Sequence, residues 1–84
     1  MKEEKKEKIV TAAGMIAGQS GAVLSVDGGH TLLGRLEALG IRPGKRLRKV
    51  NSSFMQGPAV FDVEGYSIAI GYGMASRIQV KIDS

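Results

Sequence analysis

The sequence predicts a mainly β domain with one or two short helices, an SH3-like small barrel of about five antiparallel strands. Three features carry that expectation. The chain has only 84 residues, of which 12 are glycines, so tight turns must separate short elements. Its apolar residues alternate in runs of about five, the period of a half-buried strand. A single segment departs from that period and reads as a helix with a well-marked end.

The first strand is Ala22 to Val26, rich in β-formers and bounded by Gly18, Gly21 and Gly28-Gly29. Asp27 to Thr31 supplies a turn and an N-cap, where small or oxygen-bearing residues satisfy free N–H groups. A nine-residue helix should follow, because Leu32, Leu33, Leu36 and Leu39 fall on one stripe. Its end is legible: Gly40 fits the left-handed position, Ile41 the hydrophobic contact of a Schellman ending, and Pro43 blocks continuation. Gly34 inside the helix marks either close approach of another backbone or a weak point.

Beyond Pro43-Gly44 the pattern is β throughout. Lys45 to Val50 forms a basic strand with Leu47 buried. Ala59, Phe61 and Val63 alternate inward in the next strand, Ile68 and Ile70 in the one after, and Ile78, Val80 and Ile82 in the last. Glu64-Gly65 is a two-residue hairpin connection between antiparallel neighbours. Residues 71–76 suit a short helical turn. Five short strands and one helix hide their edges most economically by curling into a barrel.

Composition removes several functions. A chain of this size buries about 60% of its unfolded surface, enough for a modest core but not for an enclosed active site as well. Without cysteine there is no disulfide framework, thiolate metal site, iron–sulfur cluster or cysteine nucleophile, and a cytoplasmic location is the natural expectation. The opening Met1-Lys-Glu-Glu-Lys-Lys-Glu-Lys8 mixes charges of both signs, so residues 1–10 read as a solvated, disordered leader and 11–84 as the barrel domain. No apolar run approaches the roughly 20 residues of a membrane-spanning helix. His30, the sole histidine, follows Asp27 by three residues, but a transition-metal site needs three or four converging ligands; His30 is a weak candidate, and no metal or other cofactor is expected. Asp62 and Glu64 share a strand face that solvation alone explains. No nucleophile–histidine pairing and no Gly-x-x-x-x-Gly-Lys-Ser/Thr loop is present, so the chain does not read as an enzyme.

Between residues 35 and 49, Arg35, Arg42, Lys45, Arg46, Arg48 and Lys49 stand against Glu37 alone, which localises the formal net charge of +4. Such a patch could steer an acidic protein surface, anionic headgroups or nucleic acid; the same residues also fit ordinary solvation of an edge strand. Four aromatic residues are few for base stacking, which favours protein over nucleic acid. Phe54 and Met55 lie in Asn51 to Pro58 with no inward position assigned by either period, so they serve either as anchors for a partner or as a plug for the barrel's open end.

In order along residues 11–82, the chain carries Gly18-Gln-Ser-Gly21, Arg35-Leu-Glu-Ala-Leu-Gly-Ile-Arg-Pro-Gly44, Gly57-Pro58, Gly65-Tyr-Ser-Ile-Ala-Ile70 and Gly73-Met-Ala75. This ordered set resembles the FeoA family of bacterial ferrous-iron transport. The resemblance implies an SH3-like fold and a cytosolic accessory that contacts the FeoB transporter at its cytosolic GTP-binding domain, touching the membrane only through that transporter and acting as a monomer or weak homo-oligomer. The same module ends metal-dependent repressors related to the diphtheria toxin repressor, but no DNA-reading helix pair precedes it here. Many relatives carry Arg or Lys where this chain has Gly71, which puts any contact through that charge in doubt. The alternative reading is a small SH3-like nucleic-acid or ribosome binder. Arg35, Arg42, Lys45, Arg46, Arg48, Phe54 and Met55 are the expected partner-binding residues.

Overall fold

A computed structural model describes residues 8–51 and 56–83. Six strands form one antiparallel sheet: β1 (Lys8–Thr11), β2 (Ser20–Val26), β3 (Arg46–Asn51), β4 (Ala59–Val63), β5 (Tyr66–Ile70) and β6 (Ile78–Ile82), in the spatial order β1-β6-β2-β3-β4-β5. A 3₁₀ turn (Ala12–Gly14) follows β1, helix α1 (His30–Ala38) joins β2 to β3, and helix α2 (Tyr72–Ala75) joins β5 to β6. The sheet curls into the expected SH3-like architecture with one strand more than expected. Lys8, Ile9 and Val10 belong to that strand, paired with Ile82, Lys81 and Val80, and not to a leader. Curling also leaves β1 and β5 as edges rather than closing the hydrogen-bond ladder.

The core is the inner face of this curl. Val23, Leu47, Phe61, Val63, Ile70, Ile78 and Val80 are buried with Leu36 of α1, Met15 and Ile41. β2 lies so close to β6 that a Cβ on Gly21 would stand 2.5 Å from the Lys81 carbonyl oxygen, a separation that excludes every other residue there. The register between the same strands shifts at Val23/Ser25, and such a bulge sharpens the bend of a sheet.

Helix α1 has nine residues, beginning two positions before its first leucine, Leu32, and ends as its sequence dictates. The Gly40 N–H donates to the Glu37 carbonyl and the Ile41 N–H to the Leu36 carbonyl, both at 2.9 Å, with Gly40 at φ 88°. That is the Schellman pattern, and its hydrophobic partners Leu36 and Ile41 are both buried. Leu39 differs from expectation: at the C-cap it turns outward and is 41% exposed. Gly34 faces open space, so it is a weak point and no backbone approaches it. Glu64 and Gly65 both take positive φ, 51° and 86°, as a two-residue hairpin turn between twisted strands requires.

Candidate functional site

Strand β3 lies between β2 and β4; it is an interior strand, so the reading of its cations as an edge's solvation does not hold. Because successive side chains alternate, the basic segment divides between two environments. On the outer face Arg48 stands opposite Asp62 and donates from Nη2 to Oδ2 at 2.9 Å, while the Ser67 hydroxyl donates to the other Asp62 oxygen at 3.0 Å. Arg46 pairs with Asp83. Lys45, just before the strand, bonds Glu64 Oε2 through Nζ at 2.6 Å; this hydrogen bond, with the charges of Lys45 and Arg42, holds the Glu64 carboxyl below the usual carboxylate range.

Lys49 shares the inward face with Leu47 and is 2% exposed. Its Nζ donates to the carbonyl oxygens of Met15 (2.9 Å), Ala13 (3.1 Å) and Ala12 (3.3 Å) and lies 5.7 Å from the centre of the Phe61 ring. The ammonium thus closes the carbonyl end of the 3₁₀ turn, where a cation opposes the aligned backbone dipoles. Burial pushes its pKa down from the ordinary lysine value. Lys49 is a structural tie and cannot meet a partner.

The basic run is therefore not one open patch. Three of its cations are neutralised by carboxylates and one is internal, which leaves Arg35 and Arg42 without ion-pair partners among the described residues. Arg35 is joined by Arg77, a residue 42 positions away that no local pattern flags. Both line an open cleft of about 520 Å³ with Gly28, Gly29 and His30 at the start of α1. Asp27 beside it is engaged, accepting from Gln79 Nε2 at 3.3 Å. His30 stands at this cleft with arginines as its charged neighbours, and no three His, Cys, Asp or Glu side chains converge among the described residues. Phe54 and Met55 lie outside the described residues.

A second concavity, of about 360 Å³, lies between the end of α1 (Ala38, Leu39, Gly40) and the β4–β5 hairpin (Val63, Tyr66, Ile68). It is mainly apolar, and Tyr66 at its lip is 74% exposed. No helix among the described residues is long and apolar enough to cross a membrane.

The FeoA domain family matches this sequence over residues 10–82. The chain belongs to the FeoA domain family. This is a family tied to iron transport and not one of enzymes. A protein of Methanocaldococcus jannaschii named "Putative Fe(2+) transport protein A" is 33% identical over 64 residues, 76% of each chain. The crystal structure of an iron uptake regulatory protein, FeoA, superposes with a TM-score of 0.86 at 32% identity, covering 90% of this chain and all of the other. A manganese-dependent transcriptional repressor has a TM-score of 0.82 at 18% identity over 92% of this chain but only 43% of its own length; there the likeness is one of fold.

Proposed function

We propose that this FeoA-family protein is a cytosolic accessory of ferrous-iron uptake that works by binding the cytosolic, GTP-binding part of a FeoB-like transporter. The observation that carries this reading is the family match across nearly the whole folded domain, strengthened by the relative named for Fe(2+) transport. The available chemistry suits recognition. Arg35 on α1 and Arg42 just beyond it form no ion pair among the described residues, and Arg77 adds a third cation beside Arg35, an arrangement that speeds encounter with an acidic protein surface.

The contact is placed at this α1 margin, with Phe54 and Met55 as further anchors. Arg35→Glu with Arg42→Glu should abolish co-purification with the transporter's cytosolic domain while circular dichroism stays unchanged; undiminished capture overturns the placement. Arg46→Ala and Arg48→Ala should leave capture intact, since both guanidinium groups are already held by carboxylates. Phe54→Ala tests the loop separately, with weaker capture expected.

A further inference from the structure

The two edges of the sheet are finished differently. β1 carries Lys8, and its outward Ile9 stands beside Lys81. β5, Tyr-Ser-Ile-Ala-Ile, has no charge and no proline, and its register with β4 is unbroken over all five pairs. Charges, prolines and bulges are the devices that keep edges from pairing, and β5 has none of them. Apart from its ladder with β4, none of its five residues makes a backbone hydrogen bond to another described residue. In an antiparallel ladder alternate residues then aim N–H and C=O away from the partner strand.

The apolar layer also runs past this edge. Tyr66, Ile68 and Ile70 share the core-facing row opposite Val63, Phe61 and Ala59, yet only Ile70 is buried; Ile68 is half-buried and Tyr66 open. Tyr66 and Ile68 of that row line the groove against Leu39. The sheet is short of one strand with apolar side chains on the core side and small, uncharged ones on the other.

We propose that the missing strand is β5 of a second copy, paired antiparallel about a two-fold axis at Ile68 to give a weak, reversible dimer. A two-fold axis perpendicular to the sheet keeps both core-facing rows on one side, and overlap of all five residues puts Tyr66 opposite Ile70 of the partner subunit and Ser67 opposite Ala69 of the partner subunit. Every opposed pair is uncharged, so a chain of net charge +4 brings no like charges into the seam. The pairing is isologous and closes at two copies, whereas β5 on β1 would be head-to-tail and open-ended. One strand per copy is less than the about 1,200 Å² of a stable complex, hence a weak dimer. The inference does not depend on the transporter as partner.

Sedimentation equilibrium and amide NMR of the full chain, from about 20 μM to about 1 mM, test it. The mass should rise with concentration toward that of two chains, with shifts and exchange protection growing selectively at residues 66–70. Ser67→Lys with Ala69→Lys sets cations opposite each other across the seam and should weaken association at least about tenfold; Ser67→Lys with Ala69→Glu sets opposite charges there and should restore it. A chain that stays monomeric throughout overturns the proposal. So does association undiminished in the double-lysine variant, or β5 protection independent of concentration, which would mean that the chain covers its own edge. Wild-type NMR alone can decide against the proposal even if a variant fails to fold.

Discussion

The inner and outer faces of β3 hold positive charge in opposite ways. Outside, Arg48 meets a directly opposed carboxylate that remains in contact with water. Inside, one residue further along, Lys49 is stripped of water and solvated instead by three backbone carbonyls. An exposed pair exchanges hydration for a similar interaction and gains little. A buried ammonium gives up far more, and is tolerated only because each donor finds a backbone carbonyl to accept it. Similar cations in a six-residue strand are thus solubility on one face and architecture on the other.

That contrast makes removal of Lys49 the largest expected effect. Lys49→Ala removes the ammonium that the Ala12, Ala13 and Met15 carbonyls share and opens a cavity beside Phe61; a loss of about 4 kcal/mol in urea unfolding is expected. Lys49→Met keeps the volume and loses only the donors, for about 2 kcal/mol. If both variants unfold like the wild type, the tie has no energetic role and the contrast collapses. On the outer face, a double-mutant cycle between Arg48 and Asp62 should give a coupling of about 0.5 kcal/mol, falling further in high salt.

Titration sharpens the comparison with smaller effects. The folded pKa of Lys49 lies below the ordinary lysine value because burial disfavours the charge, so between those two values the unfolded chain binds more protons and stability climbs as pH rises toward the ordinary value. The Lys49→Met variant should lack that climb. For Glu64 the sign is reversed: its folded pKa is depressed by Lys45, so its contribution is present above the ordinary carboxylate value and is lost as pH falls through the folded one. Because Glu64 is exposed, acid unfolding of Lys45→Gln should differ only slightly from that of the wild type.

These environments were only partly legible beforehand. The helix stop was fully written in Gly40, Ile41 and Pro43, since capping is local chemistry and needs no knowledge of the rest of the fold. The β4–β5 hairpin and the alternation of Ile78, Val80 and Ile82 are local in the same sense. Lys49 carried a usable signal: two residues after Leu47, it had to share the buried face. Composition masked that signal, because a lysine in a basic run reads as surface. β1 was obscured by its neighbours, four residues adjoining a charged stretch and committed to the sheet only by distant β6. The ion pairs of Arg46, Arg48 and Lys45, and the meeting of Arg35 with Arg77, depend on separations of 14 to 42 residues that periodicity does not encode. Within the basic run, the cations without ion-pair partners among the described residues therefore lie at the margin of α1 and not on strand β3, although the fold class stood.

The strand order has a further consequence for biosynthesis. β6 is the last of the six described strands to be translated, yet it lies between β1 and β2, the first two of them. A chain emerging from the ribosome N-terminus first can zip β2, β3, β4 and β5 as successive neighbours, while β1 waits without a ladder until residues 78–82 are free to enter. Ile78, Val80 and Ile82, all buried, arrive together with that insertion. Completion of the sheet thus waits on the emergence of β6, whatever the order in which the earlier neighbours zip.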